Sequence, residues 1–314
     1  MTMDRPRVVF MGSPAFAVPA LEALAGTYPV VGVVTQPDRP AGRGSRLRPP
    51  PVKVTAERLG LPVFQPEKVA APDALEHLRA WAPDVIVVAA FGQILPPGLL
   101  SLPPHGCLNL HASLLPRWRG AAPIAAAILA GDTVTGVTLM QMDEGVDTGP
   151  ILAWREELIR PDDTTGSLTE RLARVAAELL MDVLPDYLAG KVRPVPQPEE
   201  GVTYCRPLKK ADGHLDWTRP AVELERQVRA VTPWPGAFTF WEGQMVKVLR
   251  AAPLPDWSGP EPPGTVVPLG EGAAVVTGQG ALQLLEVQMA GKNPLPIEAF
   301  LRGRRNFIGA LLGD

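Results

Sequence analysis

The stretch VIVVAA, residues Val85–Ala90, is apolar at every position. A strand with one wetted face alternates apolar and polar side chains, so an unbroken run marks a central strand covered on both faces. Working outward, this strand (Asp84–Ala90) is one of several. The others are Arg7–Met11, Val30–Thr35, Cys107–His111 and Val134–Met142. Helical patterns fall between and around them at Pro14–Ala25, Val52–Leu59, Pro72–Trp81, Pro123–Ala130 and Leu168–Leu188. Strands separated by helices imply right-handed βαβ units. The expectation is an open α/β domain with a doubly wound, mainly parallel sheet over residues 1–189.

Gly190–Gly201, GKVRPVPQPEEG, cannot propagate a helix because Pro194, Pro196 and Pro198 interrupt it. Residues 190–206 are therefore expected to be an interdomain linker. Beyond them the pattern changes. One helix, Ala221–Val231, precedes five short strand candidates: Ala237–Trp241, Met245–Ala251, Gly264–Val267, Ala273–Thr277 and Leu282–Gln288. Turns every eight to twelve residues or so predict a small β-barrel or sandwich over residues 207–314. The sequence contains no internal repeat.

Bulk composition narrows the function. The chain has 314 residues, 46% hydrophobic and 20% charged, enough to bury a real core. Its 37 prolines and 30 glycines are about a fifth of the chain, but the apolar content excludes global disorder. Net charge −3 argues against a uniformly basic nucleic-acid binder. Two cysteines, Cys107 and Cys205, form no C-x-x-C pair, and four histidines form no cluster with zinc-ligand spacing, so no metal is expected. The N-terminus has no signal-peptide apolar region, and no run of about twenty apolar residues exists, so a cytoplasmic protein without a membrane span is expected.

Four local constellations bear on chemistry. Gly12-Ser13-Pro14 follows the first strand but is not G-x-G-x-x-G; it reads as a tight turn, and no dinucleotide is expected. Asn109 and His111 are two apart on a strand and project to one face. An amide donor beside a titratable imidazole suits oxyanion stabilisation and proton transfer. The acidic loop Asp143–Gly149 follows the strand Val134–Met142. In open α/β sheets the crevice outside the strands' carboxyl ends is the binding site. A carboxylate from this loop would orient His111 and favour its charged form, but spacing does not choose among Asp143, Glu144 and Asp147. G-x-S-x-G is absent, and Cys107 reads as a small buried hydrophobe. With no protein nucleophile, the attacking group comes from a substrate. Finally, Thr35–Lys53 carries Arg39, Arg43, Arg46, Arg48 and Lys53 against Asp38 alone, a local net of +4. Residues 1–203 outside that loop total −8, and residues 204–314 total +1. A long Pro/Gly/Arg loop in an otherwise acidic domain favours phosphate recognition.

Taken together, CLNLHASLLPRWRGAAPI at Cys107–Ile124 resembles the formyltetrahydrofolate-dependent formyltransferases, whose signature is N-x-H followed by S-L-L-P. MGSPAFAVPAL at Met11–Leu21, FGQILP at Phe91–Pro96 and GVTLMQMDEGVDTGPIL at Gly136–Leu152 match as well. TQPDRPAGRG at Thr35–Gly44 and TPWPGAF at Thr232–Phe238 look like the branch acting on methionyl-tRNA. The resemblance covers nearly the whole chain; one departure is Ala112, where glycine is expected. It implies a Rossmann-like formyltransferase domain and a C-terminal OB-like barrel that binds tRNA. It implies a catalytic trio of Asn109, His111 and Asp147. The folate donor, 10-formyltetrahydrofolate, would lie near Ser113, Leu114, Leu115 and Pro116, with Phe91–Pro96 by the pterin pocket. The basic loop would engage the acceptor end of charged initiator tRNA through Arg39, Arg43, Arg46 and Arg48, with Lys209 and Lys210 as further contacts. A monomer is expected. The alternatives are a formyltransferase acting on glycinamide ribonucleotide or an amino sugar, a formyltetrahydrofolate hydrolase, and an RNA-binding protein on a degenerate α/β scaffold.

The loop reading is testable by substitution. Arg43→Ala is expected to weaken use of charged tRNA while leaving folate binding intact, and wild-type affinity for tRNA should fall as salt rises. Unchanged kinetics of the variant with charged tRNA contradict the role.

Overall fold

The computed structural model describes residues 5–41 and 46–313. It divides into two compact units. The first holds Met1–Pro123, Val134–Leu158 and Thr169–Arg206; the second holds Ile124–Thr133, Ile159–Leu168 and Pro207–Asp314.

The first unit contains strands β1 (Val8–Gly12), β2 (Val30–Val34), β3 (Arg39–Ala41), β4 (Arg46–Arg48), β5 (Val63–Phe64), β6 (Val85–Ala89), β7 (Cys107–His111), β8 (Arg119–Gly120), β9 (Val134–Gln141), β10 (Ile151–Leu158) and β11 (Tyr204–Cys205). Helices α1 (Val18–Thr27), α2 (Pro51–Arg58), α3 (Pro72–Ala80) and α4 (Pro97–Leu100) connect the earlier strands. Of the helices that follow, α5 (Pro123–Ala130) groups, apart from Pro123, with the second unit, and α6 (Thr165–Leu188) belongs to the first from Thr169 on. Seven strands form one sheet in the order β10-β9-β7-β6-β1-β2-β5. The pairs from β7 through β5 are parallel, whereas β9 and β10 are antiparallel additions at one edge. From β1 the chain winds one way to β5, then returns to β6 and winds the other way. This is the doubly wound, mainly parallel sheet that the apolar run predicts.

Every residue of β1, β6 and β7 is buried. Alternate residues face opposite sides. Val9, Met11, Ile86, Val88 and Cys107 pack with Leu78 of α3 and Leu99 of α4, while Phe10, Val87, Leu108 and Leu110 are buried from the other side. Burying each such aliphatic side chain contributes about 1.5–3 kcal/mol, so both helical layers are needed. Gly32 shows how closely the layers approach: a Cβ there would lie 2.3 Å from the Trp81 ring.

Three features differ from the sequence expectation. The basic loop contains a short hairpin, with Arg39 opposite Arg48 and Pro40 opposite Leu47. Strand β10 was not expected because its exposed face mixes apolar and charged residues; Trp154 and Leu158 are exposed, and Arg155 reaches Glu178 and Asp182 at 3.1 and 2.7 Å. Charges of this kind blunt an edge strand against further pairing. Third, residues 190–206 group with the first unit rather than hanging between units. Val195 pairs with Ile151, and β11 lies parallel to β8.

The second unit has strands β12 (Ala237–Trp241), β13 (Gln244–Leu254), β14 (Val266–Leu269), β15 (Gly272–Val276), β16 (Ala281–Met289) and β17 (Leu295–Pro296), with helices α7 (Ala221–Ala230) and α8 (Ile297–Arg302). The antiparallel order is β12-β13-β16-β15-β14, and β17 pairs with β16. Strand β17 and α8 were too short to stand out as patterns. The C-terminal segment bonds to both ends of this sheet: Phe240 with Gly313, and Val266 with Gly309 and Ala310. Its core holds Trp217, Leu224, Val248, Val275, Leu284 and an edge-to-face aromatic group of Trp241, Phe300 and Phe307. Among the described residues no helix is long and apolar enough to cross a membrane.

Candidate active site

Strand β7 delivers Asn109 and His111 to the carboxyl edge of the sheet, on the same face as expected. Both are buried, at 9% and 6% exposure. His111 is held from one side by a backbone carbonyl: its Nε2 lies 2.9 Å from Trp118 O. A carbonyl only accepts, so Nε2 carries the proton and donates. Nδ1 is left facing the acidic loop, 3.5 Å from Asp147 Oδ1. The Asn109 amide donates to the same oxygen at 3.4 Å.

Geometry therefore selects one carboxylate from the three that spacing left open. Asp143 instead accepts from Gly145 N and Thr148 Oγ1 inside its own turn, and Glu144 is exposed. Asp147 has a left-handed backbone, φ 53°, uncommon for a residue with a side chain. Its second carboxylate oxygen accepts from the backbone N–H of Gly120 at 2.8 Å. Gly120 itself sits at φ 114°, and a Cβ there would lie 2.1 Å from Cys205 O. Only glycine fits this position while pointing its N–H at Asp147.

The turn from Ser113 to Pro116 is pinned beneath the site. Thr138 of β9 donates its hydroxyl to Ser113 O and accepts from Leu115 N. Ser113 is fully buried and its hydroxyl donates to Arg117 O at 2.6 Å, so this side chain holds the turn and offers no open face to a ligand. Leu115 is buried, whereas Leu114 and Pro116 are half-buried. In the segment after β6, Phe91 and Leu95 join the core and Ile94 is exposed.

Several residues around the site were not singled out as site residues from the sequence, although Trp118 and Arg119 lie within the run Cys107–Ile124. Trp118 at φ 61° presents the carbonyl that fixes His111. Arg119, although charged, is buried; its Nε and Nη2 donate to Gln197 Oε1 at 3.1 and 2.7 Å. Gln197 in turn donates to Asp147 O and Gly149 O at 2.9 and 2.8 Å. Thr203 Oγ1 accepts from Trp118 N. The one available signal was a lone glutamine between Pro196 and Pro198.

The candidate phosphate contacts separate into groups. Arg39 and Arg48 are exposed on the hairpin, and Arg43 lies outside the described residues. Arg46 pairs through its backbone with Ala41. Lys53 does not belong with them, because its ammonium is spent on Asp38 at 2.9 Å. The Gln65 amide and Lys53 together hold the Asp38 carboxyl below its usual range. Lys209 and Lys210 are exposed in the second unit. Among the described residues no three of His, Cys, Asp and Glu are grouped as metal ligands.

Residues 6–184 match the Formyl transferase family and residues 207–305 match the Formyl transferase, C-terminal domain family. The methionyl-tRNA formyltransferase of Myxococcus xanthus is 53% identical over 304 residues, 96% of each chain. That of Halorhodospira halophila is 54% identical over 305 residues, covering 95% of this chain and 96% of its own. The chain belongs to the methionyl-tRNA formyltransferase family. Its fold is shared more widely. HypX from Aquifex aeolicus, solved in complex with tetrahydrofolic acid, has a TM-score of 0.61 at 20% identity, covering 95% of this chain and 47% of that one. An N-formyltransferase from Helicobacter canadensis, solved with folinic acid and dTDP-3-aminofucose, has a TM-score of 0.65 at 16% identity, covering 90% and 98%. At such identities the likeness is one of fold. Within this formyltransferase, Asn109, His111 and Asp147 all fall inside the first match, and Gln197 falls in the interval between the two.

Neither thiol is set up as a nucleophile. Burial pushes Cys107 up to about 12, and its Sγ rests against Leu99 O. Burial also raises Cys205, with the charge of Asp147 adding to the shift. The thiolate is the reactive form. At pH 8 an alkylating reagent is therefore expected to spare Cys107 in the native protein and to modify both cysteines after denaturation. Native labelling of Cys107 at the rate of a free thiol, read by mass spectrometry, contradicts the assignment.

Proposed function

We propose that the protein transfers the formyl group of 10-formyltetrahydrofolate to the α-amine of methionine on charged initiator tRNA, the formylation step of translation initiation. The observation that carries this reading is the convergence of Asn109, His111 and Asp147 at the sheet edge, in a chain of the methionyl-tRNA formyltransferase family. The neutral amine attacks the formyl carbon. The carbonyl π electrons move to oxygen, the C–N10 bond then breaks, and the proton lost by the amine is balanced by one gained at N10. Asn109 Nδ2 is one donor available to the oxyanion; since His111 Nε2 already carries the proton it donates to Trp118 O, Nδ1 adds a second donor only in the doubly protonated ring. Donors already in place where charge develops cost no reorganisation during the reaction. Asp147 holds both groups in register.

The half-buried Leu114 and Pro116 and the exposed Ile94 support a folate site beside the Ser113–Pro116 turn and the Phe91–Pro96 segment. There the donor is held chiefly by apolar side chains and backbone. The exposed Arg39 and Arg48, with Arg43 and Arg46 on the same loop, are assigned to tRNA phosphates. Such local contacts are compatible with a net charge of −3. The second unit's antiparallel sheet, bonded at both ends by residues 309–313, supports an OB-like barrel as the tRNA-binding domain, with Lys209 and Lys210 at its start. Accordingly residues 1–189 are read as catalytic and 207–314 as tRNA-binding. A charged-tRNA substrate places the reaction in the cytoplasm, and a monomer suffices because one chain supplies every residue invoked.

Removing one oxyanion donor typically costs about 10²–10³ in rate. Asn109→Ala is thus expected to depress kcat by that factor with little change in folate affinity; near-normal turnover would falsify the assignment. In a competition assay offering charged initiator tRNA, charged elongator tRNA, an amino sugar nucleotide and water, the initiator should take the formyl group. Preferential formylation of the sugar amine, or release of formate, would replace this reading with another.

A further inference from the structure

We propose that Gln197 is a positioning residue for formyl transfer, acting through the Asp147 carboxylate; the inference rests on the function proposed above. Gln197 is drawn inward from an exposed stretch, with Val195, Pro196, Pro198, Glu199 and Glu200 around it facing solvent. The prolines on either side have no N–H to donate and preset an extended backbone. Val195 bonds to Ile151 through its backbone, and between the prolines it is the glutamine side chain that reaches inward.

Its two ends grip the two pieces of chain that between them fix Asp147. The Nε2 group donates to Asp147 O and Gly149 O, at 2.9 and 2.8 Å, on the loop that carries the carboxylate. The Oε1 atom accepts from Arg119 Nε and Nη2, at 3.1 and 2.7 Å, on β8. The next residue of β8, Gly120, donates its N–H to Asp147 Oδ2. One neutral side chain therefore locks loop against strand. Asp147 adopts a left-handed backbone, and such conformations persist only where surrounding contacts over-determine them. Loss of the lock lets Asp147 Oδ1 drift from Asn109 and His111, which it meets at 3.4 and 3.5 Å. Displacements on the order of 1 Å at an active site cost about 10²-fold in rate.

The chemistry requires glutamine in particular. Two carbonyls need a donor, and a guanidinium needs an acceptor. Glutamate keeps the second and forfeits the first. Methionine of similar length forfeits both.

The test uses the full-length chain with charged initiator tRNA and 10-formyltetrahydrofolate. Gln197→Glu retains the Arg119 pair and is expected to melt with the wild type, yet to lose about 10–100-fold in kcat with KM for both substrates within a fewfold. Gln197→Met is expected to lose at least as much kcat and to melt lower, because buried Arg119 loses the acceptor of its Nε and Nη2 and keeps only the longer Nη1 bond to the Tyr204 hydroxyl at 3.4 Å. Because Gln197 acts through the carboxylate, adding Gln197→Glu to Asp147→Asn should cause little further loss. Wild-type kcat in both single variants overturns the proposal. So does a defect confined to KM, or a loss that multiplies in the double variant. If Asn109→Ala also turns over normally, the functional reading itself has failed; if Asn109→Ala is impaired and Gln197→Glu is not, only the role of Gln197 is lost.

Discussion

The Asp147 carboxylate, clamped by the backbone N–H of Gly120, is the constraint on which the candidate active site depends. Hydrogen bonds to charged groups contribute about 1.5–3 kcal/mol each, against about 1–2 kcal/mol for placing a non-glycine residue in the left-handed region. The Gly120 bond alone offsets the backbone cost at Asp147, and the amide of Asn109 adds to it. In return the carboxylate stands where both the Asn109 amide and His111 Nδ1 meet it. Gly120 has no alternative at that position, because a Cβ would strike the backbone of Cys205. The pairing of β8 with β11 therefore reaches the proposed chemistry through a single N–H.

The sheet was legible in the sequence because its signals are local. Val85–Ala90 is apolar throughout, and β1, β2, β7 and β9 are bounded by turn residues within a few positions of each end. Asn109 and His111 were legible for the same reason, being two apart on one strand. Spacing did not choose Asp147, since three acidic residues share one loop; the resemblance implied it, and the fold brings its carboxylate to His111. The groups that finish the site were hidden more deeply. Trp118 contributes a carbonyl, which any residue type has. Gln197 contributes an amide to partners 50 and 78 residues away, from a segment whose prolines read as a spacer. A proline-rich stretch excludes helix, but it does not exclude an extended strap.

The charge pattern sharpened in the same way. A loop that counts as +4 in sequence spends Lys53 on Asp38 at its base, while Arg39 and Arg48 are exposed. Asp38 is also bound by Gln65, so this ion pair anchors the loop to the domain. An arginine fork suits phosphate better than a lysine point charge. In the proposed reading, sequence-independent attraction to tRNA thus comes from a small exposed hairpin and the lysines at the head of the second unit.

The central claim is that Asn109, His111 and Asp147 act as one unit on the formyl carbon. Residues that act as a unit show strongly non-additive losses. The most direct measurement is the single-turnover rate of formyl transfer, at saturating substrates, for Asn109→Ala, His111→Ala, Asp147→Asn and the triple variant. The account predicts that each single variant is slowed by about 10² or more, and that the triple variant is little slower than the worst single one. A single variant that transfers at the wild-type rate, or losses that multiply across the three positions, would contradict it.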